Sequence, residues 1–221
     1  VRRQLMIDAI GQERMAAGLG LDNATMYATR TVGPLVGGLT YQFVGIVGIY
    51  LVIAAAYVAC LVMARRIRVV GVARAPAPPG AAPGVLSRLL PPAALIVNRR
   101  FQALMGVTLV YNLWCFPFIT MVPVIAAQDF ALPPLLVGAM SACDGIGGTF
   151  GGLLVGALVT ERTMFRLHYL GTLSFLVLVA VMSWYLQPLP AVALLLLLGV
   201  SAAGFSATQY ALTYLIAPAE M

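Results

Sequence analysis

Charge is what this sequence has least of. Only 9% of its 221 residues are charged, against about 25% in a soluble domain whose surface must face water. With 62% hydrophobic residues and a mean hydropathy of +0.98, that scarcity excludes a water-soluble globule: lipid must solvate most of the surface. Lysine is missing altogether, and all thirteen basic residues are arginine. Histidine occurs once, as His168. There is no Ser/His/Asp set, no HExxH pair and no phosphate loop, so the polar inventory is too poor for an intramembrane protease or a metal enzyme. The chain reads as a non-enzyme with no catalytic residue, metal or cofactor. Cys60, Cys115 and Cys143 stand alone in apolar runs, without CxxC or Cys/His spacing, and read as small buried residues.

What is present is length in apolar runs. A helix needs about 20 predominantly apolar residues to cross the hydrocarbon. Six segments qualify, at 15–42, 46–64, 102–125, 134–159, 166–186 and 190–216. Turn formers fill the short breaks, at Gln42 to Gly45, Gln128 to Pro134 and Gln187 to Pro190. The fold class is therefore an all-α polytopic membrane protein.

A net charge of +6 would suit a nucleic-acid surface, but the arginines sit at span ends and form no continuous face. Nucleic acid is excluded as a partner. Arg2, Arg3 and Arg14 precede the first span. Arg65, Arg66, Arg68, Arg74, Arg88, Arg99 and Arg100 lie between the second and third, and Arg162 and Arg166 between the fourth and fifth. The alternate turns hold no basic residue, only Asp129. By the positive-inside rule both ends of the chain are cytoplasmic. The chain opens on Val1-Arg2-Arg3 without a secretory signal and closes on Glu220-Met221 just after an apolar run, which reads as an internal piece of a longer protein.

Residues 65–100 form the one long connection, rich in Pro, Gly and Arg, and their middle should be flexible and unpacked. They divide the chain into 1–64, the end of an N-terminal bundle with two spans, and 101–221, the start of a C-terminal bundle with four.

On the first span, Asp22, Met26, Arg30, Gly33 or Pro34, Gly37 and Tyr41 recur at helical spacing and share a face. An arginine at that depth should face protein or a water-filled cavity. Gly33-Pro34-Leu35-Val36-Gly37-Gly38 offers a bend, where Pro34 removes a donor, and a side-chain-free surface for a neighbouring helix. Ordinary packing glycines with a tolerated kink remain the plainer reading.

These residues carry a resemblance. The stretch from Arg3-Gln4 through Glu13-Arg14, Leu21-Asp22-Asn23 and Arg30-Thr31-Val32-Gly33-Pro34 resembles the fourth-to-fifth-helix region of the major facilitator superfamily. It looks most like the bacterial drug-efflux branch that includes the enterobactin exporters. Gly33-Pro34-x-x-Gly37-Gly38 resembles the core of the antiporter motif, with Thr29 where family members often carry glycine. After the fourth span, Gly156-Ala157-Leu158-Val159-Thr160-Glu161-Arg162 with Arg166 resembles a degraded copy of the family's cytoplasmic-loop motif. Thr160 stands there in place of an aspartate.

The resemblance implies a major-facilitator-type bundle of twelve helices, of which this chain supplies the fifth to tenth, so six transmembrane helices are present. It implies a proton-coupled exporter of lipophilic or amphipathic small molecules, of the drug or siderophore class, working by alternating access in the bacterial cytoplasmic membrane. Its partners would be a small-molecule substrate, protons, the lipid bilayer and the remaining helices of the same chain. An uptake permease of the same fold stays open, as does a membrane scaffold or enzyme without transport.

The candidate substrate or proton pathway is Arg30, Asn112, Asp144 and Gln209. Asp144 is the only acid deep in its span, about ten residues or roughly 15 Å from the outer end. It shares a face with Gly148, Gly152 and Gly156 that should bury it against another helix. A carboxyl there can load and release a proton, and Arg30 is the candidate counter-charge; a structural acid is the plainer reading. Thr108, Asn112 and Cys115 share a face of the third span. Ser201, Thr208 and Gln209 are the polar positions of the sixth. His168 reads as a polar residue at the cytoplasmic interface.

Overall fold

The structure is a computed structural model that describes residues 15–66, 97–160, 162–184 and 187–216. The middle of the long connection lies outside these residues, as does Glu161 of the loop motif. Every regular element among the described residues is helical: α1 (Met15–Arg66), α2 (Arg99–Val110), a π-helical turn (Tyr111–Cys115), α3 (Phe116–Gln128), α4 (Pro134–Leu158), α5 (Met164–Trp184) and α6 (Pro188–Ile216). The spans read at 15–42, 46–64, 134–159, 166–186 and 190–216 each fall in one of these helices to within about two residues, the usual scatter of helix ends, and the span at 102–125 runs through α2, the π turn and α3.

Four stretches among the described residues are long and apolar enough to cross a membrane: Thr25–Arg66, Arg99–Gln128, Met164–Trp184 and Pro188–Gln209. The first contains two of the expected spans, because α1 breaks at Gly45, where φ is 73° and ψ −171°. Only a residue without Cβ enters that region freely. A turn was expected over Gln42 to Gly45; the break is confined to the glycine. Helix α4 has 25 residues, interrupted by Asp144 and several glycines, and is not one of these four stretches.

Side chains close the helix ends. Asn98 accepts the Arg100 N–H at 2.9 Å and caps α2. Thr160 and Thr163 cap α5 reciprocally, each hydroxyl accepting the other's N–H, at 2.9 and 3.3 Å, the geometry of a capping box. Thr160 therefore serves as a helix cap in the loop that resembles the family's motif. Arg162 and Arg166 are exposed beside it.

The π turn was not legible in the periodicity. Phe116 N–H bonds back five residues to the Tyr111 carbonyl, and Pro117 follows with no N–H to give. One extra residue in a turn rotates all later positions by about 100°. The shared face of Thr108, Asn112 and Cys115 is accordingly split: Cys115 is buried while Asn112 is exposed. Among the cysteines, Cys115 and Cys143 are buried but Cys60 is exposed, on the arm of α1 beyond Gly45.

The apolar core belongs to α2 through α6. Tyr111, Cys115, Met140, Cys143, Phe175, Leu195, Leu198 and Phe205 are among its buried members. Phe205 is the centre of an aromatic column, stacked on Tyr111 at 3.7 Å between ring centroids and on His168 at 4.8 Å. Helix α1 contributes nothing to this core and packs instead along α4. Its second arm is exposed from Tyr50 to Arg66, an apolar surface suited to lipid or to further helices.

Candidate functional site

Glycine decides how closely α1 and α4 approach. A Cβ on Gly138 would fall 2.3 Å from the Pro34 carbonyl oxygen, and one on Gly38 would fall 2.5 Å from the Pro134 oxygen. Two turns along, a Cβ on Gly145 would meet the backbone of Arg30 and Thr31, 2.6 Å from the Thr31 nitrogen. One turn beyond that, Gly148 receives the ring of Tyr27, 2.2 Å from where its Cβ would be. Positions 138, 145 and 148 thus make one face of α4 that α1 fits against, backbone to backbone at 138 and 145 and through the Tyr27 ring at 148. Gln42 closes the far end, its Oε1 accepting the Leu135 N–H at 3.2 Å, one of the donors a helix start leaves unpaired. A second face of α4 meets α6, where Gly147 and Gly151 lie against Leu196 and Val200.

Gly33 and Gly37 need correcting against the expected packing surface. A Cβ at either would meet nothing within 4 Å among the described residues. The contact runs through Gly38 and the Pro34 carbonyl, because α4 crosses on that side of α1. On α4 the same holds for Gly156, which meets nothing, while Gly148 and Gly152 both face Tyr27.

Arg30 and Asp144 meet at this contact. Arg30 Nη2 donates to Asp144 Oδ2. The Arg30 side chain keeps 30% of its exposure and that of Asp144 only 8%, so the pair is buried at the carboxylate and open at the guanidinium. A charged side chain at the centre of a membrane helix costs about 2.5–3.5 kcal/mol on insertion scales, and pairing offsets part of that cost. Asp144 Oδ1 is buried and has no hydrogen-bond partner among the described residues. The carboxylate is thus satisfied on one oxygen and bare on the other. Tyr111 lies within electrostatic reach of both charges and of Tyr27.

A neutral contact that the sequence did not reveal lies one turn away. Tyr27, three residues before Arg30, hydrogen-bonds Ser206 on α6 at 2.7 Å. Ser206 gives its own proton to the Ala202 carbonyl at 2.9 Å, so the tyrosine hydroxyl is the donor.

The other pathway candidates are not brought here. Asn112 is exposed and donates to the Thr108 carbonyl one turn back, at 2.8 Å. Gln209 is half-buried on α6, with no contact to Arg30 or Asp144 in the structure's hydrogen bonds.

His168 also departs from expectation. It is buried between α5 and α6, not set at an interface, with Nδ1 3.0 Å from Thr208 Oγ1. Thr208 donates to the Gly204 carbonyl at 2.7 Å, so it can only accept from the ring, and Nδ1 carries the hydrogen. Nε2 is then a buried acceptor without a partner. Thr208→Val keeps the shape and removes the hydroxyl acceptor of the Nδ1–H while the Phe205 backbone still offers the ring a partner, at an expected cost of about 0.5–1.5 kcal/mol. Thermal unfolding of the complete protein in detergent measures it; an unchanged midpoint would show that the bond contributes nothing.

No curated protein and no solved structure matches the chain. The sequence profile of the Major Facilitator Superfamily matches residues 2–221, and with its all-helical fold of apolar, membrane-length helices the chain belongs to that superfamily.

Proposed function

We propose that this secondary transporter is a proton-coupled exporter of lipophilic or amphipathic small molecules, with Asp144 as the coupling carboxyl and Arg30 as its counter-charge. The observation that carries the reading is the ion pair itself, made between helices on opposite sides of the 65–100 connection. The helices beyond that connection have their own apolar core, whereas α1 joins them through glycine contacts, one ion pair and neutral hydrogen bonds. An interface of that kind can part without exposing a large apolar core, which is what rocking of one bundle against another requires. In this reading the helices occupy the fifth to tenth places of a twelve-helix plan, with both ends of the chain cytoplasmic.

The proton has an address. Oδ2 of Asp144 is engaged by Arg30 and Oδ1 is bare, so protonation at Oδ1 cancels the charge that holds the guanidinium and loosens the contact as one step. Export rests on the resemblance to the efflux branch and is the direction the test must settle.

Asp144→Asn keeps size and hydrogen bonding while removing titration. In proteoliposomes containing the complete protein and a lipophilic fluorescent dye, the variant is expected to bind dye normally and to lose transport driven by an imposed pH gradient. Unchanged gradient-driven transport would leave Asp144 a structural residue and move coupling elsewhere.

A further inference from the structure

Around Asp144, two layers of side-chain contact join α1 to the helices beyond the connection, one charged and one neutral. In the first, Arg30 reaches Asp144. In the second, the Tyr27 ring crosses α4 in the notch left by Gly148, and its hydroxyl reaches Ser206 on α6. The layers are stacked by helix geometry: Tyr27 precedes Arg30 by three residues and Gly148 follows Asp144 by four, so each pair shares a face of its helix. Tyr27 is buried, and α4 is therefore gripped between α1 and α6 at this level.

We propose that Tyr27 and Ser206 form an uncharged latch that positions Arg30 on Asp144 and keeps the interface closed after the ion pair has been discharged. Both groups are neutral hydroxyls. The proton on Asp144 that cancels the attraction to Arg30 leaves the phenol-to-serine bond intact. Opening then needs two separate events, loss of the charge pair and withdrawal of the Tyr27 hydroxyl from Ser206. Discharge of Asp144 by itself does not free α1. The geometry also says why a glycine sits at 148: a Cβ there would lie 2.2 Å from the edge of the tyrosine ring, push it off its path and break the bond to α6.

This inference rests on the transporter reading only for what the movement accomplishes, and its test needs no transport. Spin labels are placed at the exposed positions Ala28 on α1 and Leu153 on α4, in a background with Cys60, Cys115 and Cys143 replaced by alanine. The complete protein is reconstituted in liposomes, and the distance distribution is recorded without substrate or gradient. Without further substitution one short distance is expected to dominate. Tyr27→Phe keeps the ring over Gly148 and removes only the hydroxyl; molecules in which Asp144 takes up a proton then have nothing else at this level to hold α1, so the variant is expected to add a longer, minor population. Ser206→Ala removes the same bond from the other side and is expected to do the same, which guards against a folding defect in either variant. Asp144→Asn alone should leave the short distance dominant, and Asp144→Asn with Tyr27→Phe should shift most of the distribution to the long one.

The latch is overturned if Tyr27→Phe and Ser206→Ala both leave the distribution unchanged. It is equally overturned if Asp144→Asn alone opens the interface as fully as the double variant. Intact gradient-driven transport in Asp144→Asn, together with opening in Tyr27→Phe, would remove the coupling role and leave the latch standing.

Discussion

Replacing Arg30 with methionine is expected to destabilise the packing of α1 on α4 by about 3–5 kcal/mol, the usual cost of breaking a buried pair from one side. The size of the effect comes from what is left behind. Asp144 is almost fully buried and its Oδ1 lacks a partner among the described residues, so losing Arg30 removes the one hydrogen bond its carboxylate makes to them. The carboxylate must then remain charged in apolar surroundings or take up a proton, and either outcome forfeits the contact. Removing both partners is a different matter. Arg30→Met with Asp144→Leu leaves no stranded charge and is expected to recover most of the loss, because an apolar pair of similar volume is often as stable as the ion pair it replaces. A double-mutant cycle on thermal unfolding of the complete protein yields the coupling between the two positions. A coupling near zero would mean that the pair contributes nothing to assembly. The same variants separate assembly from function: the double variant should insert, fold and bind dye, yet fail to respond to a pH gradient.

The helices were legible because lipid imposes a simple rule on composition, and six apolar runs with arginine between them leave little choice of fold class. Arg30 and Asp144 were legible as individuals for the same reason, Asp144 being the lone charge in its apolar run and Arg30 a charge deep in a run that it shares with Asp22. Their meeting was not. They are 114 residues apart, and periodicity reports which face of its own helix a residue occupies, not which helix lies opposite. Tyr27 and Ser206 were missed because a hydroxyl on an apolar helix looks the same whether it bonds its own backbone or a neighbour. Thr29, Thr31 and Thr40 all do the former. A usable signal did exist at Tyr27, which lies about one helical turn before Arg30 as Gly148 lies about one turn after Asp144. At the π turn the clue was Pro117, which removes a donor four residues past Leu113. His168 was misplaced because a residue near a helix end was assumed to be near a surface, whereas α5 is covered at that level by Thr208 and Phe205 of α6.

The glycines of α1 give the sharpest test of where the interface runs. Sequence spacing put Gly33, Gly37 and Gly38 on one packing surface, but only Gly38 touches α4. Gly38→Leu is expected to block transport, and Gly37→Leu to leave the α1–α4 contact intact. The difference lies in what the new atoms meet. At Gly38 a Cβ would sit 2.5 Å from the Pro134 oxygen and 3.1 Å from the Gly138 Cα. Both are backbone atoms that no side-chain rotation can move, so the helices must separate. Overpacking of that kind costs about 1–3 kcal/mol, occasionally more. Here the separation also pulls Gln42 from the Leu135 N–H and draws Arg30 away from Asp144. Gly138→Leu should reproduce the defect from the opposite helix, since its Cβ would lie 2.3 Å from the Pro34 oxygen. Membrane insertion of all three variants should be normal, because leucine makes each span more apolar. The deciding measurement is disulfide cross-linking between cysteines placed at Gln42 and Leu135, read beside gradient-driven dye transport in the complete protein. Loss of the cross-link in Gly38→Leu and Gly138→Leu, with retention in Gly37→Leu, fixes the contact on the side of α1 that carries Gly38. Equal retention in all three would mean that α1 and α4 do not approach through these glycines, and the Arg30–Asp144 pair would lose the close helix contact that brings it together.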